Sequence, residues 1–289
     1  MSHSTEHNQT SGPNATLFIA ASETDSNLYY ATKFIAPDPF IYLEVKGERL
    51  MIMSDLEVDR ARHQATVDRV LSYSELERRA KSQGVKDPGN IDVIHLVLQD
   101  AGLHEILVPP TFPFLHAQRL QELGYRLRTK REPFYERRVM KSDEEVRHIE
   151  AAQRATETAV AAAHASLRRA EIRDNVLWLD GEILTSERVK KLINVALMEC
   201  DCVAQHTIVA GGEQACDPHD EGSGPLPAHR SIIFDVFPRS ADSRYFADMS
   251  RTVVRGRPSP ELTKLYQTVK DAQEEAITNI RDGADGAVI

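Results

Sequence analysis

The feature that most constrains this chain is the stretch S-I-I-F-D-V-F-P-R-S-A-D-S-R-Y-F-A-D-M-S-R-T-V-V at residues 231–254. It opens with an apolar, β-branched and aromatic run over 232–237. Turn-forming residues follow over 238–243, and a second extended run occupies 244–254. Two such runs around a polar turn predict a β-hairpin.

The hairpin carries two aspartates, Asp235 and Asp248, that we expect to face each other. Side chains alternate with period two, so a separation of 13 positions (248 − 235) lets a cross-strand pair share one face. A turn centred on Ala241 and Asp242 sets them directly opposite, where like charges are destabilising unless a cation lies between them. A metal ion meets that need. The alternative is a solvated face with two surface aspartates, although apolar residues on both faces indicate a covered sheet.

The motif D-V-F-P followed by Y-F-A-D-M-S-R-T resembles the metal-binding hairpin of the M24 metallopeptidases. This pita-bread-fold family includes Xaa-Pro aminopeptidases, prolidases and methionine aminopeptidases. Its pattern is D-x-G, a short turn and D-[IMF]-[ST]-R-T, and the match is most specific at Asp248, Arg251 and Thr252. Phe237 stands where the family has glycine, and the turn is about two residues longer, an insertion that preserves the facing parity.

The resemblance implies a site and an activity. Asp235 and Asp248 would bind two divalent metal ions, Mn²⁺, Co²⁺ or Zn²⁺, which activate a water to hydrolyse the bond after the N-terminal residue of a peptide. The substrate would carry proline at its second position. His219, in a Gly-rich loop before the hairpin, matches a family histidine that contacts the substrate near the metals. We also expect a homo-oligomer, a dimer.

The family's site uses five protein ligands, and the remaining histidine and two glutamates come from strands later in the fold. We expect this sequence to lack them, because the resemblance covers the N-terminal domain and only the first half of the pita-bread repeat. These 289 residues alone are then expected to bind metal weakly or not at all. The alternative function is a non-catalytic pita-bread-like module that binds peptides or proteins, and an α/β protein of unrelated function is a third.

The first half of the chain predicts an α/β fold. Strand-like runs alternate with helical patterns, an arrangement similar to the creatinase/prolidase-type N-terminal domain. We expect a disordered tail over 1–14, this domain over 15–140 and a partial pita-bread metallopeptidase domain over 141–289, in all an α/β (α+β) fold. The runs are at 15–21, 39–45, 49–54 and 104–110, and the helical patterns are at 59–67, 74–82 and 114–123.

The second half contains three predicted helices. Ser142 and Glu145 form a capping-box pattern that starts a long helix. A second helix is predicted over 186–198. A third begins with Ser259 as N-cap and Pro260, ends before Gly283, and is expected to pack across the sheet.

Composition excludes some partners. The formal net charge of -9 argues against nucleic acid or an anionic membrane, and no apolar stretch approaches the roughly 18 residues of a membrane helix. Three cysteines without an apparent signal peptide fit a reducing cytoplasm. Cys200, Cys202 and Cys216 with His206 and His219 could suggest structural zinc, but their spacing does not match the usual paired pattern.

Overall fold

The computed structural model describes residues 15–288 and divides into two compact units between Met140 and Lys141. The predicted disordered tail, residues 1–14, lies outside the described part of the chain. Among the described residues, no helix combines the length and the apolar character that crossing a bilayer requires.

The first unit alternates strands with helices. In chain order these are β1 (Ala15–Ala20), α1 (Ser26–Thr32), β2 (Phe40–Val45), β3 (Glu48–Met53), α2 (Val58–Gln64), β4 (Arg69–Ser72), α3 (Tyr73–Ser82), α4 (Asn90–Ala101), β5 (Glu105–Val108), α5 (Phe114–Glu122) and β6 (Arg126–Thr129). The six strands form one sheet in the order β4-β3-β2-β1-β5-β6. Strand β2 runs antiparallel to β1 and β3, whereas the pairs β3–β4, β1–β5 and β5–β6 are parallel. This is a mixed α/β sheet.

Hydrophobic cores cover both faces of this sheet. The cross-strand pair Leu17 and Leu43 belongs to one core, to which α4 and α5 contribute. The adjacent pair Phe18 and Tyr42 belongs to the other core, with residues of α1 and α2. Period-two alternation therefore sends successive residues of β1 and β2 into different cores.

The sequence identified most of this unit. The four strand-like runs correspond to β1, β2, β3 and β5, and the three helical patterns correspond to α2, α3 and α5. The predictions omitted α1, α4, β4 and β6. Helix α4 buries Val93, Ile94, Leu96 and Leu98, and such a dense apolar run has little of the spacing that marks an amphipathic helix.

The second unit is built from longer helices and short strands. It contains α6 (Asp143–Arg169), β7 (Glu171–Arg173), β8 (Val176–Leu179), β9 (Glu182–Ile183), α7 (Ser186–Met198), β10 (Cys202–Val203), β11 (Ile208–Gly211), β12 (Ile232–Val236), β13 (Arg239–Ser240), β14 (Met249–Val253) and α8 (Pro260–Asn279). Its strands form the sheets β7-β8-β9, β10-β13 and β11-β12-β14. The core joins α6 and α7 to one face of the last sheet.

All three predicted helices of this unit form, and α6 and α7 pack into the core. Ser142 caps α6, since its Oγ accepts from the Glu145 N–H at 3.3 Å and its own N–H donates to Glu145 Oε2 at 2.8 Å. Helix α7 has the predicted bounds. Their inward-facing residues, such as Ala159 and Ile193, are fully buried in the core.

Helix α8 forms where predicted but does not pack as predicted. Ser259 caps it, with Pro260 at its first position. None of its residues is buried, and Leu265 and Val269 are each 62% exposed. The expectation that α8 packs across the sheet is wrong, because no element among residues 15–288 buries its apolar stripe.

Candidate metal site

The predicted hairpin exists as the antiparallel pair β12 and β14. Asp235 pairs with Ser250, and Val236 pairs with Met249. The predicted register, with Asp235 directly opposite Asp248, is therefore wrong by two residues. A shift of two keeps side chains on the same face, so Asp235 and Asp248 remain on one side of the sheet, diagonally placed.

The error arises in the connection between the strands. Residues 237–248 do not form a tight turn on Ala241 and Asp242, because Arg239–Ser240 is strand β13, paired with β10. A hydrogen bond from the Ala247 N–H to the Pro238 carbonyl, 3.1 Å, closes the connection. The second extended run is correspondingly shorter than predicted and begins at Met249.

The two faces of the hairpin differ in cover. Phe234 and Val236 are fully buried against α6 and α7. On the other face Asp235 is half-buried and Asp248 is exposed. The expectation of a covered sheet on both faces is wrong: among the described residues, the face with the aspartates is open. The cost of placing two carboxylates there is reduced by contact with water.

The aspartates nevertheless act on each other. Partial burial, and then the charge of Asp235 and a hydrogen bond with it, raise the pKa of the Asp248 carboxyl above its ordinary value. Ser250 also contacts this pair, since its Oγ donates to Asp235 Oδ1 at 2.6 Å. Carboxylates this close favour a shared proton or a bound cation between them. Their oxygen donors fit a hard divalent metal ion.

Ser250 was not singled out from the sequence, although a signal was present. It occupies the [ST] position of the D-[IMF]-[ST]-R-T pattern, two residues after Asp248. Residues two apart on a strand share a face. The motif thus contains both the candidate ligand Asp248 and a hydroxyl that donates to Asp235.

His219 lies in the loop between β11 and β12 and is exposed. Its backbone N–H donates to Asp217 Oδ1 at 3.0 Å. Within the described residues, no hydrogen bond or ion pair joins the His219 side chain to Asp235 or Asp248. The role predicted for His219 therefore stays a prediction.

The loop that carries His219 is anchored on β11. The Val209 N–H donates to the Glu221 carbonyl at 3.0 Å. Gly222 has a φ of +79°, and a Cβ there would collide with the Val209 carbonyl, so only glycine fits. His206, which the zinc alternative had included, contacts Glu221 through Nδ1 at 2.7 Å.

A group of three or more histidine, cysteine, aspartate or glutamate side chains would mark a metal site. Residues 15–288 contain no such group. Asp235 and Asp248 are thus two candidate ligands, and the cysteines with His206 and His219 do not assemble a zinc site within this range.

Residues 147–289 match the family model described as Metallopeptidase family M24. The second unit belongs to family M24. The M24 unit contains the whole hairpin with Asp235, Ser250 and Asp248.

Curated relatives are named as peptidases. An uncharacterized peptidase of Staphylococcus saprophyticus is 24% identical over 268 residues, which cover 90% of this chain and 68% of the relative. An uncharacterized peptidase of Staphylococcus aureus is 33% identical over 78 residues, covering 27% of this chain and 22% of the relative.

Solved structures establish the fold of both units. The Xaa-Pro dipeptidase from Bacillus anthracis matches with a TM-score of 0.75 at 16% identity, over 93% of this chain and 68% of that one. The X-Pro aminopeptidase from Thermotoga maritima matches with 0.72 at 19%, over 93% and 70%. The prolidase from Pyrococcus furiosus gives 0.69 at 17%, over 91% and 68%. The chain therefore has the prolidase arrangement, in which an α/β domain precedes M24 pita-bread structure.

Proposed function

We propose that this protein is a metal-dependent peptidase of the Xaa-Pro aminopeptidase or prolidase type. The observation that carries the proposal is the pair of carboxylates, Asp235 and Asp248, that interact on the open face of the M24 hairpin. The structural neighbours named as Xaa-Pro dipeptidase, X-Pro aminopeptidase and prolidase support a substrate with proline at its second position.

In this proposal each residue of the hairpin has a defined task. Asp235 and Asp248 would hold two divalent ions, Mn²⁺, Co²⁺ or Zn²⁺, and Ser250 would fix the orientation of the Asp235 carboxylate. When bound, such ions supply Lewis acidity and lower the pKa of water. The open face leaves room for an extended peptide, and His219 acts on the substrate side.

The peptidase proposal is tested on a polypeptide that carries these residues together with the later histidine and two glutamates of the family's site. Cleavage of an Xaa-Pro dipeptide and of a longer Xaa-Pro peptide is measured with added Mn²⁺, Co²⁺ or Zn²⁺. We expect metal-dependent cleavage that Asp235→Ala and Asp248→Ala abolish, while Asp242→Ala, an exposed aspartate of the same connection, retains it. His219→Ala should lower turnover by about 10²–10⁴-fold and spare metal binding. Full activity in Asp248→Ala would end the proposal.

The 289-residue polypeptide is a separate case. With two ligands assembled among residues 15–288, it should bind metal weakly and cleave neither substrate. Turnover at ordinary enzyme rates, about 1–10³ per second, would contradict this expectation. Replacement ligands would then be sought at His206, Asp217, Asp220 and Glu221.

A second candidate is a non-catalytic module that binds peptides through the same open face. The absence of a three-ligand cluster within residues 15–288 favours it. The two functions separate in one assay. A binding module retains peptide affinity after metal is removed and after Asp248→Ala, whereas the peptidase loses cleavage in both conditions.

A further inference from the structure

A second polar site lies on the opposite, helix-covered face of the M24 sheet. In β14, Arg251 pairs with the buried Phe234, so it shares the face of Phe234 and not that of Asp235. Between this end of β14 and α6 is a groove of about 320 Å³. Its lining residues are His164, Leu167, Arg168, Val253, Val254 and Arg255.

The groove gathers positive charge. Arg168 and Arg255 line it, and Arg251 acts electrostatically on His164 at the same place. The Arg255 Nε donates to the Ala170 carbonyl at 2.9 Å, and one Arg251 nitrogen donates to the Ser250 carbonyl at 2.8 Å. The described part of the chain gives none of these three guanidinium groups a carboxylate in an ion pair. In a protein of net charge -9, a groove whose lining and neighbouring arginines have no carboxylate partner among the described residues is a local exception.

Neighbouring arginines show the contrast. Arg169, next in sequence to Arg168, pairs with Asp180 at 2.8 Å, and Arg173 pairs with Glu171 at 2.6 Å. Carboxylates are therefore used to neutralise arginines around the end of α6. The guanidinium groups of the groove are left with unused N–H donors and unbalanced charge.

His164 provides an independent observation. Its Nε2 is buried and has no hydrogen-bond partner among the described residues. Burial, and then the positive charges of Arg168 and Arg251, lower the pKa of His164. A buried polar atom without a partner is costly. An anion in the groove would offset the positive charge that Arg168 and Arg251 exert at this imidazole.

We propose that the groove lined by His164, Arg168 and Arg255, with Arg251 on the same face of β14, binds an oxyanion, a carboxylate or a phosphate group. Planar guanidinium groups match both through paired N–H donors. The site is separate from the aspartate pair, on the other face of the sheet. Its failure would leave the peptidase proposal standing.

Equilibrium dialysis of the full 289-residue chain at constant ionic strength tests the proposal, with labelled inorganic phosphate in one arm and labelled succinate in the other. We expect saturable binding of at least one probe, and the tighter arm identifies the ligand as phosphate or carboxylate. Arg168→Gln and Arg251→Gln should each weaken it about tenfold or more, as for loss of a charged hydrogen bond. The matched control Arg169→Gln should bind as the original chain does.

Thermal unfolding followed by fluorescence of Trp178 checks that each variant folds. If Arg251→Gln fails to fold, Arg168→Gln decides, because Arg168 is exposed on α6. The absence of saturable binding in the original chain, or an equal loss in Arg169→Gln, would overturn the proposal.

Discussion

The two main sheets of the protein are covered differently. In the first unit, cores lie on both faces of the six-stranded sheet, and five of the six residues of β2 are buried. In the M24 unit, β12 alternates strictly between buried and half-buried residues, with a core on one face. The uncovered face is where Asp235 and Asp248 lie.

The difference shows how one chain separates stability from chemistry. A sheet buried on both sides tolerates few charges, because each would require a partner. A sheet with one open face can present carboxylates to a metal and a substrate while its other face supplies the core. We therefore propose that the open face of the M24 sheet performs the chemistry. The face against α6 and α7 stabilises the unit.

The largest expected effect comes from truncating one large buried side chain in the core of each unit. Phe18→Ala and Phe234→Ala each remove a fully buried ring and should each cost about 3–5 kcal/mol of unfolding free energy. Trp178 is the single tryptophan and lies in the second unit. In urea, Phe234→Ala should shift the unfolding transition that is followed by Trp178 fluorescence. Phe18→Ala should leave that transition in place and shift only the transition followed by circular dichroism of the whole chain. An equal shift of the tryptophan transition by both would contradict separate cores.

A smaller effect distinguishes the two capped helices of the M24 unit. Ser142→Ala removes the cap of α6, which packs in the core, and should lower the unfolding free energy by about 0.5–2 kcal/mol. Ser259→Ala removes the same kind of cap from α8. Because α8 buries no residue, global unfolding should not change. An equal loss in both variants, measured by the tryptophan transition, would show that α8 is docked.

The smallest effect concerns the open face without metal. The pKa of Asp248 is raised in the folded state, so the folded chain binds its proton more tightly than the unfolded chain does. The contribution of Asp248 to stability must then fall as pH rises from the unfolded pKa, about 3.9, through the raised folded pKa. Asp248→Asn should remove this dependence and stabilise the metal-free chain above that window by about 0.2–1 kcal/mol, the size of a cross-strand pair.

Urea unfolding in chelator at a series of pH values measures this effect. Asp242→Asn, in the same connection, serves as the control and should keep the original pH dependence. If the stability difference between Asp248→Asn and the original chain stayed constant through this window, the repulsion between Asp235 and Asp248 would be contradicted.

Local sequence patterns predicted the shared face of the aspartates but not their register. Period two is a property of any strand, and it placed Asp235 and Asp248 together correctly. The register depends on β13 pairing with Cys202–Val203, a contact with residues more than thirty positions earlier in the chain that no turn pattern reveals. Helix caps at Ser142 and Ser259 were predictable because they are local.

Sites formed by distant segments could not be predicted from local sequence patterns, for the same reason. The groove of Arg168 and Arg255 joins α6 to the end of β14. The exposure of the hairpin face that carries the aspartates also had no local signal. Ile233 and Phe237 on that face are apolar, which favours burial, yet both are only half-buried. Burial is decided by which other elements pack on a face, and this is a long-range property.

The most direct test of the central claim is Mn²⁺ binding to the aspartate pair of the 289-residue chain. Electron paramagnetic resonance measures the Mn²⁺ that stays free as the chain is added. We predict weak, saturable binding that Asp235→Asn and Asp248→Asn each reduce at least about tenfold, equivalent to about 1.4 kcal/mol. Asp242→Asn should leave the binding unchanged. Equal Mn²⁺ binding by the original chain and by both site variants would contradict the claim that the open face of the M24 hairpin is a metal site.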